Sequence, residues 1–228
     1  MDELYKNLVK LKPKENVPFK CIGCGECCRN IYQQVPIEGL DAFRMTKYLQ
    51  KQDNSITCVD DFLERYCEPV LLDECGYFVY FLKTKGTDNA CIFLENNRCT
   101  IHACNPRACR TYPFIAAPCG EGGSFEWLIS YERKHHFNGS KVHTKTWMKK
   151  RFTAEDEAFL RTDLGNAKEI SRLLKRIPEK DKVRALIVFQ QMKYGDYELD
   201  FPFQMQYERN TQLLLEFLRG LVSDNEPV

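Results

Sequence analysis

Four cysteines within eight residues form the densest group of reactive side chains, in the run Cys21-Ile-Gly-Cys24-Gly-Glu-Cys27-Cys28. The Cys-x-x-Cys spacing is common where two thiolates share one metal centre, because a tight turn brings both sulfur atoms to one side. The two glycines allow backbone conformations that other residues avoid, so this loop can wrap closely around a bound group. The adjacent Cys27–Cys28 pair fits a multi-iron cluster, two neighbouring sites, or one ligand beside a bystander. The run therefore predicts a metal ion or an iron–sulfur cluster.

A second group of cysteines lies downstream, at Cys91, Cys99, Cys104 and Cys109. If a hairpin and the turn at Pro106 fold back on the first run, seven or eight thiols converge. This number suits one 4Fe–4S cluster with thiols to spare, two clusters, or a pair of zinc sites, and the spacing does not choose among them. Arg107 and Arg110 flank Cys109, and we expect their charges to offset those of clustered thiolates or to lower a thiol pKa.

The order of these motifs resembles that of a known family. The first run is followed by Cys91-x-Phe-Leu, Cys99-x-Ile-His and Pro106-x-x-Cys109-Arg110-x-Tyr112-Pro113. Together the motifs are similar to the YkgJ-type cysteine-cluster family of zinc- or iron-chelating proteins, over roughly Phe19 to Phe114. A remoter similarity is to the bacterial flagellin lysine-N-methylases, which implies an iron–sulfur cluster assisting methyl transfer from S-adenosylmethionine to a protein lysine.

The resemblance also implies a set of site residues. The implied metal ligands are Cys21, Cys24, Cys27, Cys28, Cys91, Cys99 and Cys109. Arg110 and Tyr112 are implied to contact the cofactor, whereas no catalytic residue follows. Asn105 stands where the family usually has arginine, so one expected cationic partner of the site is missing.

The other cysteines and the histidines are not among the implied metal ligands. The cysteines predicted to pack in the core as small hydrophobic residues are Cys58, Cys67 and Cys75. Metal binding and packing both stay open for Cys104 and Cys119. We expect His102 to pack in the fold or to form a hydrogen bond near the site. His135, His136 and His143 lie in a basic stretch, and we expect them at the solvated surface.

Short elements must position the cysteine groups. The pattern predicts a leading arm over residues 1–20, helices over 40–51 and 59–67, and strands over 77–82, 91–94 and 125–131. The turn composition of residues 85–89 favours a hairpin between the first two strands. From about residue 142 the pattern is helical.

Capping signals locate the later helices. Thr153-Ala-Glu-Asp156 resembles a capping box, and apolar residues then recur every three or four positions up to Ile177. Pro178 fits the first position of the next helix, which we expect to end at Gly195, and a last helix is predicted around residues 214–221.

These elements predict an α+β fold, with a small cysteine-rich metal-binding core that contains a short antiparallel hairpin or sheet, followed by a helical C-terminal half. We expect an N-terminal arm over residues 1–20, a metal-binding domain over 21–135 and a helical region over 142–228 that packs on it.

Composition narrows the classes of partner. The 33 basic and 32 acidic residues nearly cancel, so we expect no nucleic-acid partner. The charged N-terminal stretch does not resemble a signal peptide, and no apolar run approaches the roughly 18 residues of a membrane span. We therefore expect a cytoplasmic protein, in which clustered cysteines bind metal rather than form disulfides.

Two functions are compatible with the sequence. The first is an iron–sulfur protein, of the 4Fe–4S type, whose cluster assists methyl transfer, a reaction that follows from the resemblance alone. The alternative is a non-enzymatic zinc- or iron-chelating module whose C-terminal helices dock a protein partner. The number of cysteines exceeds what one closed zinc site needs, which favours the iron–sulfur cluster.

Overall fold

The computed structural model describes residues 8–12, 15–72, 74–120, 122–131 and 133–223. The predicted arm over residues 1–20 therefore lies partly outside the described residues, at 1–7 and 13–14. The strands are β1 (Leu8–Lys10), β2 (Asn16–Val17), β3 (Pro36–Ile37), β4 (Cys67–Leu71), β5 (Phe78–Leu82), β6 (Thr84–Lys85), β7 (Ala90–Cys91), β8 (Leu94–Glu95), β9 (Arg98–Cys99), β10 (Phe114–Pro118), β11 (Phe125–Ser130) and β12 (Val142–His143). The helices are α1 (Gly39–Leu49), α2 (Val59–Tyr66), α3 (Arg107–Thr111), α4 (Thr144–Arg151), α5 (Ala154–Arg176), α6 (Glu179–Gln190) and α7 (Phe203–Ser223).

Small antiparallel sheets make up the first part of the chain. The order β3-β5-β4 forms one three-stranded sheet and β1-β11-β10 another, while β12 pairs with β2. Two tight hairpins, β6–β7 and β8–β9, lie between the larger sheets in sequence. The longer helices follow, so the predicted α+β class with a helical C-terminal half is confirmed.

The strand predicted over residues 91–94 is wrong in one respect, because the segment is split between two hairpins. Cys91 ends the first hairpin and Leu94 begins the second. Asn96 and Asn97 form the two-residue turn of the second hairpin with φ of 48° and 60°. Two successive positive φ values are what a tight primed turn requires, and asparagine tolerates them better than most residues. The predicted turn around residues 85–89 does close a hairpin, but this hairpin pairs β6 with β7, whereas the predicted strand over residues 77–82 pairs, as β5, with β3 and β4.

The predicted capping box starts α5. Thr153 Oγ1 accepts a hydrogen bond from the Asp156 backbone N–H at 3.1 Å, and Asp156 Oδ2 accepts one from the Thr153 N–H at 2.8 Å. The following helix ends one residue before Ile177, as the apolar periodicity predicted. After α6, a π-helical turn over Gln191–Gly195 ends the helical segment at the predicted glycine.

The last helix begins eleven residues earlier than residue 214, at Phe203. Its first turns carry polar residues that are nevertheless buried. Gln206 donates to backbone oxygens of the preceding loop, including that of Glu198 at 3.0 Å, and Asn210 donates to the Asp196 oxygen at 2.8 Å. Because polar side chains face the core here, an apolar stripe could not mark this part of the helix.

One large hydrophobic cluster joins the sheet β3-β5-β4 to all four long helical segments α1, α5, α6 and α7. Phe43 of α1 lies 5.3 Å from Phe203 of α7 between ring centroids, and Phe78 of β5 lies 5.0 Å from Phe189 of α6. A second, smaller cluster is built from Val17, Phe19, Phe114 and Ile129.

No helix in the described part of the chain combines the length and the apolar character that a membrane crossing requires.

Candidate metal centre

The cysteine loop is shaped by Gly25. This residue has φ of 75° and precedes a 3₁₀ turn over Glu26–Cys28, in which the Cys28 N–H donates to the Gly25 oxygen at 2.9 Å. A β-carbon at Gly25 would stand 3.0 Å from the backbone oxygen of Asn97. The loop therefore lies directly against the turn of the β8–β9 hairpin, and only glycine fits there without displacing it.

Arg29 and Asn30 tie the end of the loop to both hairpins. The Arg29 guanidinium pairs with Asp88, in the β6–β7 turn, and donates to Asn97 Oδ1 at 2.7 Å. The Asn30 backbone N–H adds a hydrogen bond to the Asp88 oxygen at 2.8 Å. Because Cys91 and Cys99 are the last residues of these hairpins, the contacts bring them towards Cys27 and Cys28.

Five thiols form a group that we call the thiol cluster: Cys27, Cys28, Cys91, Cys99 and Cys109. The Sγ atoms of Cys27 and Cys28 are 3.9 Å apart. Cys109 lies near enough to Cys91, Cys27 and Cys99 for each of these thiolates to raise its pKa. The predicted convergence of the first run with the downstream cysteines thus holds for these five residues.

Most thiols of the cluster are held in the neutral form. Burial raises the pKa of Cys91, Cys99 and Cys109, and neighbouring thiolates raise each further. Cys27 is the exception, because its hydrogen bond with Cys28 lowers its pKa to about 7 and raises the pKa of Cys28. Closely packed thiols in a partly buried site do not ionise together readily without a compensating cation, and a bound metal deprotonates its thiol ligands outright. The donor chemistry of the thiol cluster therefore fits a metal centre.

The thiol cluster is wider than a mononuclear site. Four sulfur atoms at 2.3 Å from one zinc ion in a tetrahedron lie about 3.8 Å from each other. The Cys27–Cys28 pair meets this spacing. Among the described residues, however, no three ligand atoms of the thiol cluster lie within 4.8 Å of one another.

Helix α3, which carries Cys109, is fixed by paired arginines. Arg107 donates to both Glu38 carboxylate oxygens, at 2.7 and 2.5 Å, and its backbone N–H donates to Asp41 Oδ1 at 2.8 Å. Arg110 donates to both oxygens of Asp156, at 3.0 and 2.9 Å. The prediction that these arginines lower a thiol pKa is wrong for Cys109. Both arginines are paired with carboxylates, and burial raises the pKa of Cys109.

Cys24 points to a different group of residues. Its Sγ lies 3.1 Å from His136 Nε2 and 3.7 Å from His135 Nε2. The ligand atoms of these three side chains all lie within 4.8 Å of one another, a spacing that suits one metal ion. Cys21 is exposed and acts electrostatically on Arg151 of α4.

The expectation that His136 lies at the solvated surface is wrong. Its side chain is 4 % exposed, and its ring packs edge-on against Phe19 and Tyr112. Its Nδ1 lies 3.0 Å from Tyr112 Oη. Burial, together with the charges of His135 and Arg133, lowers the pKa of His136, so the neutral imidazole is favoured. His135 is exposed, as expected.

A comparison with protein-family models gives one match, over residues 20–149, to CxxCxxCC, described as a "putative zinc- or iron-chelating domain". The match covers more than half of the chain. The chain belongs to this family. No curated protein and no solved structure matches the chain at a significant level. The zinc- or iron-chelating assignment is thereby confirmed at family level, and the similarity to flagellin lysine-N-methylases gains no support.

The CxxCxxCC match extends beyond the motifs that the sequence resemblance used. Those motifs end near Phe114, whereas the match continues through β10 and β11 and ends within α4. It therefore includes His135 and His136, the residues that contact Cys24. A basic segment with two adjacent histidines gave little indication of this contact, since more than a hundred residues separate them from Cys24.

Asp41 is a further residue of the CxxCxxCC domain that the sequence did not single out for the site. Its side chain is buried and acts electrostatically on Cys109. Burial and the neighbouring Glu38 raise its pKa to about 7, against the opposing effect of Arg107 and Arg110. Its Oδ2 has no hydrogen-bond partner among the described residues. Its early position in α1 indicated only a favourable charge at a helix start.

The remaining cysteines largely follow expectation. Cys67 and Cys75 are buried core residues. Cys58 is exposed at the start of α2, so its predicted core position is wrong. Burial raises the pKa of Cys104 to about 12, with a contribution from Cys99, which places Cys104 beside the thiol cluster. Cys119 is half-buried, and His102 is exposed rather than packed.

Proposed function

We propose that this protein is a metal-chelating protein that holds an iron–sulfur cluster, of the 4Fe–4S type, on the thiol cluster. The ligands would come from Cys27, Cys28, Cys91, Cys99 and Cys109, which exceed by one the four thiolates that such a cluster uses. Bound there, the cluster would supply redox or Lewis-acid chemistry.

The observation that carries the proposal is the spacing of these thiols. They are close enough to shift each other's pKa, yet no three ligand atoms of the described thiol cluster fall within 4.8 Å. In a multi-iron cluster each thiolate binds its own iron, so the sulfur ligands stand further apart than around one zinc ion. Zinc is the competing metal, favoured by the single close pair Cys27–Cys28.

Anaerobic purification followed by iron, sulfide and zinc analysis tests this proposal. We expect brown protein with about four iron and four sulfide ions per chain, and with broad charge-transfer absorbance in the visible range. Colourless protein without sulfide, whose zinc content falls when Cys109 is replaced by serine, would overturn the iron–sulfur cluster in favour of zinc.

Methyl transfer from S-adenosylmethionine to a protein lysine stays a prediction from the family resemblance. Nothing in the described residues adds support to it. Calorimetric titration of the metal-loaded protein with S-adenosylmethionine tests this reaction at its first step, because a methyltransferase must bind its methyl donor. The absence of any heat of binding would count against methyl transfer.

A second candidate function is non-enzymatic metal handling with a docked protein partner. It is favoured by an exposed apolar pair on α6, where Val183 and Ile187 are 71 % and 54 % exposed one helical turn apart. Metal that exchanges rapidly with a chelator, in a protein without turnover, would favour this function over the first.

A further inference from the structure

We propose that Cys24, His135 and His136 form a second, mononuclear metal site that takes zinc, separate from the thiol cluster. The proposal does not depend on an iron–sulfur cluster being present, since it rests on different ligands and a different geometry.

The distances from Cys24 Sγ to the two imidazole nitrogens fit one tetrahedral zinc ion. With Zn–S near 2.3 Å and Zn–N near 2.0–2.1 Å, a sulfur and a nitrogen ligand stand about 3.5 Å apart. Cys24 Sγ lies 3.1 and 3.7 Å from the two Nε2 atoms, on either side of this value. All three ligand atoms also lie within 4.8 Å of one another, so a single ion between them is compatible with their spacing.

His136 is held in the orientation that a metal ligand needs. A metal-bound histidine usually donates its other ring N–H to a fixed acceptor, which sets the tautomer and the ring plane. Tyr112 Oη stands 3.0 Å from His136 Nδ1 and can accept that hydrogen bond, leaving the Nε2 lone pair directed at Cys24. The backbone is fixed as well, because the His136 oxygen accepts a hydrogen bond from the Lys20 N–H at 3.0 Å.

The ring of His136 is also enclosed by aromatic residues. Phe19 packs against it, and the same phenylalanine contacts Tyr112, Phe137 and Trp147. This aromatic packing belongs to the smaller hydrophobic cluster, so the site is supported by packed core side chains as well as by a loop.

The convergence of two imidazoles on one sulfur distinguishes a metal site from a nucleophilic cysteine. A Cys–His nucleophile needs one histidine as its base and an orienting third group. Here a second histidine turns its Nε2 to the same sulfur, which adds nothing to a nucleophile but completes a ligand set for a metal. One thiolate and two imidazoles form a donor set that suits zinc better than ferrous iron.

The site differs from a closed structural zinc site. Three protein ligands leave a fourth position for water, as in many catalytic zinc sites. His135 is exposed while His136 is buried, so a bound ion would be reached by solvent from the side of His135. The cysteine run is thus divided, with Cys24 serving one metal and Cys27 and Cys28 another.

Zinc analysis of matched histidine variants tests the site. Compared with the wild-type protein, His136→Gln should lose about one zinc ion per chain, while the metal bound by the thiol cluster, whether iron with sulfide or zinc, stays unchanged. His143→Gln is the control, because this half-buried histidine of the same basic segment is not part of the ligand group. Equal zinc in the His136→Gln and His143→Gln proteins would overturn the proposal.

Two further variants separate ligand loss from misfolding, since His136 is buried. His135→Gln changes an exposed side chain, and Tyr112→Phe removes only the acceptor of the Nδ1 hydrogen bond. Both should lower zinc affinity at least about tenfold in a competition titration with a chromogenic chelator, with unchanged circular dichroism.

Cobalt substitution gives a readout independent of zinc content. Cobalt bound at this site should show tetrahedral ligand-field bands and a thiolate charge-transfer band, and Cys24→Ser should remove the charge-transfer band. A Cys24 thiol that alkylates at the same rate with and without zinc, and that slows in His136→Gln, would identify a nucleophilic pair and overturn the metal site.

Discussion

Asp156 links the start of α5 to α3 and α1 through buried hydrogen bonds. Its side chain is 1 % exposed and accepts hydrogen bonds from Arg110, at 3.0 and 2.9 Å, and from Arg44 at 2.6 Å. Burial alone would raise the pKa of Asp156, but Arg110, the Thr153 N–H and Arg44 together lower it well below the usual range. The carboxylate thus stays ionised wherever the protein is folded near neutral pH.

Replacing Asp156 by asparagine should lower the free energy of unfolding by about 3 kcal/mol, because it leaves two arginines without their buried partner. The loss should be constant above about pH 5 and should shrink below about pH 4. A depressed pKa contributes stability that is present above the unfolded pKa of about 3.9 and is lost as pH falls towards the folded value. Urea unfolding of the wild-type and Asp156→Asn proteins at several pH values measures this difference in the free energy of unfolding.

Glu155→Gln is the matched control for that measurement. Glu155 is the neighbouring, exposed partner of Arg44, and exposed ion pairs contribute only about 0–1 kcal/mol. Equal effects of the two substitutions would contradict the role assigned to Asp156.

Single residues were predictable from the sequence where their signal was local. The Thr153–Asp156 capping box and the dense cysteines could be found because each pattern lies within eight residues. The contact of Cys24 with His136 could not, because it joins residues 112 positions apart through a fold the sequence does not display. The arginine pairs of Asp156 were missed for the same reason.

Among the elements, the cysteine loop and the β8–β9 hairpin depend on each other. Gly23 and Gly25 both have positive φ, at 66° and 75°. A β-carbon at Gly23 would meet no atom within 4 Å, whereas one at Gly25 would stand 3.0 and 3.2 Å from the Asn97 oxygen and Cα. An alanine at Gly23 therefore tests only the backbone conformation, whereas an alanine at Gly25 also tests the contact with the hairpin.

Gly23→Ala should cost about 1–2 kcal/mol, the penalty of a left-handed conformation. Gly25→Ala should cost at least about 1 kcal/mol more, because the added methyl group displaces the Asn97 turn, and it should also weaken metal binding. Denaturant unfolding and metal titration of both variants measure this difference. Indistinguishable stability and metal affinity would contradict the close approach of the loop to the hairpin.

Elements with strong periodicity or capping signals, such as α5, were predicted nearly to the residue. The two short hairpins were predicted only in part, because a two-residue strand carries too few side chains to show an alternation. Helix α7 was predicted too short, since buried glutamine and asparagine side chains interrupt its apolar stripe. Tertiary hydrogen bonds, which a sequence pattern does not show, satisfy those side chains.

At the scale of the whole molecule, the thiol cluster adjoins the large hydrophobic cluster rather than replacing it. Cys91 belongs to that cluster, and Cys28, Cys99 and Cys109 pack against it. The same cluster extends into α7, and the buried Lys193 pairs with Asp163 of α5. The core is far larger than that of a small metal-dependent domain, so folding should not require the metal.

Removing the metal by chelation under reducing conditions should leave a helical protein that unfolds cooperatively at a lower denaturant concentration. The loss should amount to about 4 kcal/mol if free metal had been present at 1,000 times its dissociation constant. Circular dichroism during denaturant titration measures both quantities. A random-coil spectrum of the metal-free protein would contradict this account and would indicate a domain that folds only with its metal.

The central claim is that cysteines distant in sequence bind one metal centre, and Cys109→Ser tests it most directly. Cys67→Ser is the control, because Cys67 is a buried cysteine of the core, on β4, whereas Cys109 is partly buried in the thiol cluster. Metal content of the two proteins, purified anaerobically in parallel, should show iron and sulfide lost from Cys109→Ser and retained in Cys67→Ser. Full iron and sulfide in Cys109→Ser would contradict the shared centre and confine metal binding to the loop of residues 21–28.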